Sequence, residues 1–447
     1  MTPDLVVRSR RVITPDGVRP AALIVVDGRI AGVVGYDDGP APARLVDAGD
    51  LVVMPGLVDT HVHLNEPGRT DWEGFAAGTR AAAAGGVTTI VDMPLNSVPA
   101  TTTVEALERK RAAAVGKIAV DVAFWGGLVA GNAGDIPALC AAGVRGFKCF
   151  LVPSGVDEFP PVTEADLREA LPALVQNNVP LLVHAELPAP IERACAALRT
   201  EDFRRHVVWM RSRPTEAETE AIWLLVRLAR EFRARVHVVH VSAVEGVELV
   251  RAARDKGLRI TAETCPHYLT FASEEIADGA TEFKCAPPIR GAANREALWT
   301  ALTSGHLDLV ATDHSPCPPA MKCGASGDFF QAWGGIASLE IGLAAVWTGL
   351  SARGGYMEQL VEWMCAAPAR LAGLSPRKGE LTVGADADIV VWDPDATFVV
   401  RPELLHQRHK LTPYAGRPLR GQVRTTFVRG GVAFDEGLVH DSRGQLL

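Results

Sequence analysis

The sequence predicts an α/β protein in which a (β/α)₈ TIM barrel carries a small β-sandwich domain built from both termini. Two observations support this fold class: residues 54–379 alternate between strand-like and helix-like segments, and both ends of the chain are rich in strands. The alternation predicts parallel βα units, and eight of them can close into a barrel. An open doubly wound sheet is the alternative, but it would have a glycine-rich phosphate turn after its first strand, and none is present.

The two ends of the chain have the same character. Residues 1–53 contain three segments rich in β-branched residues and divided by Asp-Gly turns, namely LVVRSRRVI, ALIVVDGRIAGVVG and LVDAGDLVV. Residues 380–447 again show strands and turns in GADADIVVWDPD, TFVV and RTTFVRGGVAF. We therefore predict one composite β domain from residues 1–53 and 380–447, with the barrel spanning residues 54–379.

The barrel is predicted to have eight apolar strands, whose carboxyl ends should surround the active site. These strands cover residues 57–63, 87–92, 118–124, 144–150, 179–184, 235–240, 258–263 and 307–312. Helix-like segments lie between them, and the clearest are WEGFAAGTRAAAAGG, VEALERKRAAAV, EADLREALPALVQNN and EAIWLLVRLAREF.

The composition is that of an ordinary globular protein, with 48% hydrophobic and 22% charged residues. A net charge of −8 and the lack of a basic patch argue against a nucleic-acid partner. No apolar run is long enough to span a membrane, and the N-terminus does not read as a signal peptide. Eight scattered cysteines without a CxxC pair favour a reduced, cytoplasmic protein.

The stretch PGLVDTHVHLNEPG, residues 55–68, places two histidines at the end of the first strand. Side chains at alternate positions of a strand point to the same face, so His61 and His63 can aim at one point. Such a pair is half of a metal site. The simpler alternative is a pair of histidines that form hydrogen bonds near a loop.

Four further polar residues stand at the ends of other apolar strands: Lys148, His184, His240 and Asp313. Each has an ordinary explanation, since a lysine can form a salt bridge, a histidine can be satisfied in the core, and an aspartate can cap a helix. Together, however, four histidines and an aspartate at separate strand ends supply the ligands that Zn²⁺ or a similar ion prefers.

The remaining histidines are weaker candidates. His237 lies three residues before His240, so it would point away from a site that His240 faces. His267 and His314 lie near the predicted mouth of the barrel, where we expect contacts rather than metal ligation.

These residues and motifs resemble the cyclic amidohydrolases, a family that includes dihydroorotase, dihydropyrimidinase (hydantoinase) and allantoinase. The resemblance covers essentially the whole chain, including GADADIVVWD and TPYAGRPLRG near the C-terminus. Within the family, it is nearest to the allantoinase branch. The motifs that favour this branch are HVHLNEPGRTDWEGF, DMPLNSVPATTT, KCAPPIR, and DHSPCPPAMK followed by AWGGI.

The resemblance implies a binuclear metal centre with two divalent ions per chain, Zn²⁺ by preference, with Co²⁺, Mn²⁺ or Fe²⁺ as alternatives. It implies that His61 and His63 bind the more buried ion and that His184 and His240 bind the other. It also implies that CO₂ carboxylates Lys148 to a carbamate that bridges both ions. Asp313 would bind the buried ion and act as the proton carrier. Homotetramers are common in the family, so an oligomer is expected.

Departures from the pattern of the other branches favour an uncharged substrate. Asn65 stands where dihydroorotases have an arginine that holds a carboxylate, and no tyrosine follows Lys148 as it does in hydantoinases. The resemblance therefore implies hydrolysis of allantoin to allantoate. The alternatives are a dihydropyrimidinase or hydantoinase, a dihydroorotase, and a non-catalytic relative.

Five features are expected to contact the substrate or to form the pocket, each with an ordinary turn or packing role as the alternative. The expected substrate contacts are Asn65, Asn96, Cys285 and Ala286, and the expected pocket wall is Trp333-Gly334-Gly335.

Overall fold

The computed structural model describes residues 2–440 and 443–447. Met1, Asp441 and Ser442, which belong to the predicted terminal domain, lie outside the described residues. Within the described part of the chain, no helix combines the length and the apolar character that crossing a membrane requires.

Both termini contribute to one mostly antiparallel sheet, as predicted. The strand Val52–Pro55 from the N-terminal segment pairs antiparallel with Ile389–Val399 from the C-terminal segment, so hydrogen bonds connect all nine strands. The buried faces form their own apolar core, in which Leu23 packs with Phe427. The nine strands are Leu5–Thr14, Gly17–Val26, Arg29–Val34, Arg44–Asp47, Val52–Pro55, Ile389–Val399, Pro418–Val428, Gly431–Asp435 and Leu438–Val439.

The middle of the chain forms the predicted closed barrel, with every strand pair parallel. The third strand is interrupted at Trp125 and continues as a two-residue segment that pairs with the fourth strand. A parallel bridge between Val62 and His314 closes the ring. The barrel strands are Leu57–Val62, Val87–Asp92, Asp121–Phe124 with Gly126–Gly127, Phe147–Phe150, Leu181–His184, Val236–Val238, Ile260–Thr264 and Leu309–Val310.

Helices surround the barrel, and the four predicted helical segments are all observed. The helix Glu164–Gln176 begins at a capping box, in which Thr163 and Asp166 satisfy each other's backbone N–H groups. The helix Thr215–Phe232 buries Ile222, Leu225 and Ala229, a spacing that places one apolar face against the barrel. The α-helices are Phe75–Ala84, Val104–Ala114, Ile136–Ala141, Glu164–Gln176, Pro188–Ala197, His206–Ser212, Thr215–Phe232, Val244–Arg254, Pro266–Thr270, Ala292–Thr303, Gly342–Ala352, Met357–Val361 and Ala367–Leu371.

A buried ionic cluster joins the barrel to the terminal sheet. The ammonium of Lys378 lies 2.6 Å from a carboxylate oxygen of Asp121, which belongs to the third barrel strand. It also lies 2.9 Å from Asp386 and 2.6 Å from Asp388, the first two aspartates of GADADIVVWD. Arg429, at the end of the strand Pro418–Val428, pairs with Asp121 on the other side. Asp386 also pairs with Arg377 at 2.8 Å. Removing Lys378 would therefore leave the buried Asp388 carboxylate as the one without a cation among the described residues.

We predict that Lys378→Met lowers the free energy of unfolding by about 3–5 kcal/mol, because it leaves the buried Asp388 carboxylate without a cation. Urea unfolding followed by circular dichroism measures this loss. Lys256→Met is the matched control, since Lys256 is exposed, and it should change the stability by less than about 0.5 kcal/mol. Equal unfolding midpoints for the two variants would contradict the role of the cluster.

Candidate metal centre

The carboxyl ends of the barrel strands open into a cavity of about 530 Å³. All the predicted histidine ligands and Asp313 line this cavity, while Lys148 lies on the fourth strand with a fully buried side chain. The barrel brings the predicted ligands together from widely separated positions in the chain. His61, Lys148 and His184 lie in barrel strands, and His63, His240 and Asp313 lie in the segments that follow strands.

One group of ligands consists of His61, His63 and Asp313. The Nε2 atoms of the two histidines lie 3.2 Å and 3.5 Å from the same oxygen, Oδ1 of Asp313. One ligand atom from each residue lies within 4.8 Å of the others, and all three residues are buried. Two imidazole nitrogens and a carboxylate oxygen at this spacing fit a single divalent ion.

His184 and His240 form the second group. Nδ1 of His184 faces Nε2 of His240 at 3.1 Å. The ring of His240 also lies next to that of His61, with 5.3 Å between the ring centres, so the two groups are neighbours. Burial lowers the pKa of both His184 and His240, which favours the neutral imidazole that a metal ion requires.

Lys148 has a buried ammonium group without a hydrogen-bond partner among the described residues. Its ammonium nitrogen lies 4.6 Å from the centre of the Phe150 ring. Burial lowers the pKa of Lys148 to about 8, although Asp313 and Glu263 act in the opposite direction. A buried ammonium without a hydrogen-bond acceptor is energetically costly. The surroundings of Lys148 therefore favour a chemically modified form of its side chain.

Two buried carboxylates hold the histidines from behind, and the sequence analysis did not identify either of them. Oε1 of Glu263 lies 2.5 Å from Nδ1 of His61, and its other oxygen lies 3.0 Å from Nε2 of His237. Oε2 of Glu186 lies 2.7 Å from Nε2 of His184. Carboxylates in such positions fix the orientation of ligating imidazoles. Both could have been found from the sequence, because Glu263 ends a predicted strand and Glu186 follows His184 by two residues.

These carboxylates are strongly ionised. Burial opposes the charge of Glu263, but His61 and His237 bring its pKa down to about 2. Burial also opposes the charge of Glu186, and there Arg213 and His184 lower the pKa to about 2.

His237 contacts Glu263 behind the site and does not line the cavity, in agreement with the expectation that it points away.

Four of the predicted site residues adopt a left-handed backbone that is unfavourable for most residues. The φ angles are 62° for Asn65, 35° for Asn96, 39° for His240 and 46° for Asp313. Asparagine tolerates this conformation better than other residues with a Cβ atom, but His240 and Asp313 carry strain that their surroundings must hold. Such strain is concentrated at functional sites, and here it aims both side chains into the cavity.

The predicted substrate contacts are placed at two depths. Asn96, Cys285 and Ala286 line the cavity, as do Trp333, Gly334 and Gly335. Asn65 does not line it: its Oδ1 accepts a hydrogen bond of 3.0 Å from the amide of Asn96, and its own amide is 3.5 Å from the carbonyl of Pro316. The geometry thus gives Asn65 a position behind Asn96, and a role for any of these residues in substrate binding stays a prediction.

His267 and His314, expected near the mouth, are both buried and do not line the cavity. Nδ1 of His314 instead accepts from the backbone N–H groups of Ser338 and Leu339. Several residues of the cavity wall were not predicted from the sequence. These are Phe150, Trp209, Arg213, Lys284 and Phe330. Phe150 ends the fourth strand as an ordinary apolar residue, and the others lie on loops or on a helix away from the strand ends.

We predict that Glu263→Gln weakens binding of the more buried metal ion by about 10- to 100-fold, because His61 loses the carboxylate that orients it. Competition between the metal-loaded protein and a chelator measures the affinity. Glu248→Gln is the control, since Glu248 lies on the exposed face of a helix and pairs with Arg251. An unchanged affinity in Glu263→Gln would show that His61 is not a ligand or does not need this support.

Comparison with known proteins adds the family. The model of the amidohydrolase family matches residues 52–433. An allantoinase from Streptomyces avermitilis is 49% identical over 445 residues, which cover 99% of this chain and 98% of that relative. An allantoinase from Arabidopsis thaliana is 44% identical over 96% of this chain and 88% of its own length. One from Saccharomyces cerevisiae is 45% identical over 87% of this chain and 84% of its own length.

Solved structures agree with this placement. An L-hydantoinase (dihydropyrimidinase) from Arthrobacter aurescens superposes with a TM-score of 0.95 at 32% identity, covering 100% of this chain and 99% of that one. A D-hydantoinase superposes with a TM-score of 0.91 at 30% identity, covering 99% and 98% of the two chains. The family match, the identity to these relatives and the arrangement of the barrel lead to one conclusion: the chain belongs to the amidohydrolase family.

Proposed function

We propose that this protein is a metal-dependent allantoinase, which hydrolyses the cyclic amide bond of allantoin to give allantoate. The observation that carries the hydrolytic part is one cavity lined by two groups of metal ligands beside an unpartnered buried lysine, Lys148. The identity to allantoinases over nearly the whole chain supports the substrate.

Members of the amidohydrolase family generally depend on a binuclear metal centre. We propose that His61, His63 and Asp313 hold the more buried ion and that His184 and His240 hold the other. Imidazole nitrogens with carboxylate oxygens suit Zn²⁺, which we propose as the native metal, with Co²⁺, Mn²⁺ and Fe²⁺ as alternatives. When bound, the metal pair would supply a hydroxide nucleophile at neutral pH and polarise the scissile carbonyl.

We propose that Lys148 is carboxylated. Its neutral amine adds to the carbon of CO₂, a nitrogen–carbon bond forms, and one amine proton passes to solvent. Burial supports this step, since it lowers the pKa of Lys148 to about 8 and so makes the neutral amine accessible. The product is an anionic oxygen donor, which would satisfy the group and bridge the two ligand sets.

Asp313 is the proposed proton carrier. Its carboxylate lines the cavity and accepts a hydrogen bond of 2.9 Å from the hydroxyl of Ser315. Burial opposes ionisation, but His61, His63 and His240 hold the pKa of Asp313 well below its ordinary range, so its side chain is an ionised carboxylate at neutral pH. In the proposed reaction Asp313 accepts the proton of the attacking nucleophile and returns it to the leaving ring nitrogen.

A hydantoinase or dihydropyrimidinase is the second candidate, because the solved structures that superpose on this chain carry those names. The segment from Cys149 to Phe159, CFLVPSGVDEF, contains no tyrosine, which argues against it. Asn65 in place of an arginine argues in the same way against a dihydroorotase. The complete set of ligands argues against a non-catalytic relative.

Two further properties are proposed on more general grounds. Since all eight cysteines are unpaired, a reducing compartment such as the cytoplasm suits the protein. A homotetramer is proposed on the resemblance to the cyclic amidohydrolases, and light scattering after size exclusion tests it.

The function is tested by ring opening of four substrates by the metal-loaded protein: allantoin, hydantoin, dihydrouracil and dihydroorotate. Allantoate should be the dominant product. Faster turnover of hydantoin or dihydrouracil would show that the proposed substrate is wrong, while the proposed metal centre would stand. Inactivity on all four substrates, in protein that contains both ions, would refute the proposal.

We predict that Asp313→Asn lowers kcat for allantoin by at least about a thousandfold, because the amide cannot carry the proton. The urea midpoint of the variant should stay close to that of the wild type, which separates the chemical role from a structural one. Asp278→Asn, at an exposed position, serves as the control with unchanged turnover. Substantial activity in Asp313→Asn would contradict the role of Asp313 as the proton carrier.

A further inference from the structure

One wall of the cavity is cationic and aromatic and has no part in the chemistry proposed above. Trp209 lies on the helix His206–Ser212, Arg213 follows this helix, and Lys284 begins the KCAPPIR motif. All three residues line the cavity. The acidic residue that lines the same cavity is Asp313, at the predicted metal centre.

Trp209 holds this wall together as a flat platform between the two cations. The Lys284 ammonium lies 4.4 Å from the centre of its ring system, and the Arg213 guanidinium lies 5.4 Å away. Its indole N–H donates to the carbonyl of Cys285 at 3.0 Å, which fixes the ring in place. The Phe330 ring packs edge-on against it at 5.4 Å.

Lys284 has unused donor capacity. Its ammonium donates to the carbonyls of Phe330, at 3.2 Å, and Ala332. A lysine has three N–H groups, so one remains for a ligand. Among the described residues, no carboxylate forms a salt bridge with it. Burial, together with the neighbouring cations Lys322 and Arg213, lowers the pKa of Lys284 to about 7, so the group carries its full charge and all three N–H donors below that pH. The wall therefore has an uncompensated donor beside a flat apolar surface.

Arg213 adds a second donor that is fixed in place. Its Nε and Nη2 atoms bind the Glu186 carboxylate at 2.6 to 3.2 Å, which orients the guanidinium. Since Glu186 also binds His184, this wall is mechanically connected to the predicted metal centre. A ligand that reached from the predicted metal centre to the wall would meet the Trp209 ring and the side chains of Arg213 and Lys284, which line the same cavity.

The substituent of allantoin that its ring-opening chemistry leaves untouched is the ureido arm, a planar group with one carbonyl oxygen. We propose that Trp209, Arg213 and Lys284 form the subsite for this arm, and that Lys284 sets the preference for it by donating to the ureido carbonyl. This inference rests on the proposed function and identifies the residues that distinguish allantoin from hydantoins with other substituents.

Lys322 provides a matched control for a purely structural role of Lys284. Its buried ammonium donates to the carbonyls of Gly335, at 2.5 Å, and Lys284, at 3.3 Å, so it also holds the loop that carries Trp333. Unlike Lys284, it does not line the cavity. Loss of Lys322 should therefore disturb the loop without removing a donor from the proposed subsite.

The experiment compares kcat/KM for allantoin with kcat/KM for 5-propylhydantoin, whose arm is apolar, in the metal-loaded wild type, Lys284→Met and Lys322→Met. The allantoin to 5-propylhydantoin ratio should fall by about 10- to 100-fold in Lys284→Met, the effect of one hydrogen bond to a charged group. In Lys322→Met both values should change by the same factor. Metal content and urea midpoints are measured for all three proteins.

An unchanged ratio in Lys284→Met, or an equal fall of the ratio in Lys322→Met, would overturn the subsite. If Lys284→Met does not fold, the wild type decides, because the subsite requires it to prefer allantoin over 5-propylhydantoin by at least about tenfold. A wild type that opens hydantoin and not allantoin would instead refute the proposed function, so the two failures are distinguishable.

Discussion

A buried lysine without an acceptor is the constraint on which the rest of the site depends. The Lys148 ammonium lies inside the barrel with no hydrogen-bond partner among the described residues. Its charge acts on His184 and His240 on one side, and the charge of Asp313 acts on it from the other. An unmodified, charged Lys148 at this position would destabilise the folded protein, because no hydrogen bond offsets the cost of its burial. As a carbamate between two metal ions, the same group would become a shared ligand.

The surroundings of the lysine are built in layers that serve this centre. Glu263 and Glu186 orient the imidazoles, and the strained backbones of His240 and Asp313 aim their side chains into the cavity. Glu186 also binds Arg213, so one carboxylate connects a predicted metal ligand to the wall that we assign to the ureido arm. The predicted metal centre and the proposed substrate wall are thus connected through a single buried ion pair.

Strand periodicity and burial made much of this architecture predictable. The alternation at His61 and His63 depends only on the geometry of a strand, and Lys148 was conspicuous as a charge inside an apolar segment. The barrel and the composite sheet followed from the order of strands and helices. The same rule would have found Glu263, which also ends an apolar strand.

Other features depend on contacts that local patterns do not contain. Lys378 and Asp121 are far apart in the sequence, and only the fold brings them within 2.6 Å. The wall of Trp209 and Lys284 comes from a helix and a loop whose meeting depends on tertiary packing. Asn65 lies behind Asn96, to which it is hydrogen-bonded, and this order depends on the packing of two loops that are distant in the sequence.

The central claim is that Lys148 carries a carbamate between two metal ions. The most direct test is a crystal structure of the metal-loaded protein, with anomalous scattering recorded at the absorption edge of the metal. The account predicts two anomalous peaks, one beside His61 and His63 and the other beside His184 and His240. It also predicts density for a carboxyl group on the nitrogen of Lys148 between them. A single metal ion, or an unmodified Lys148 beside two ions, would contradict it.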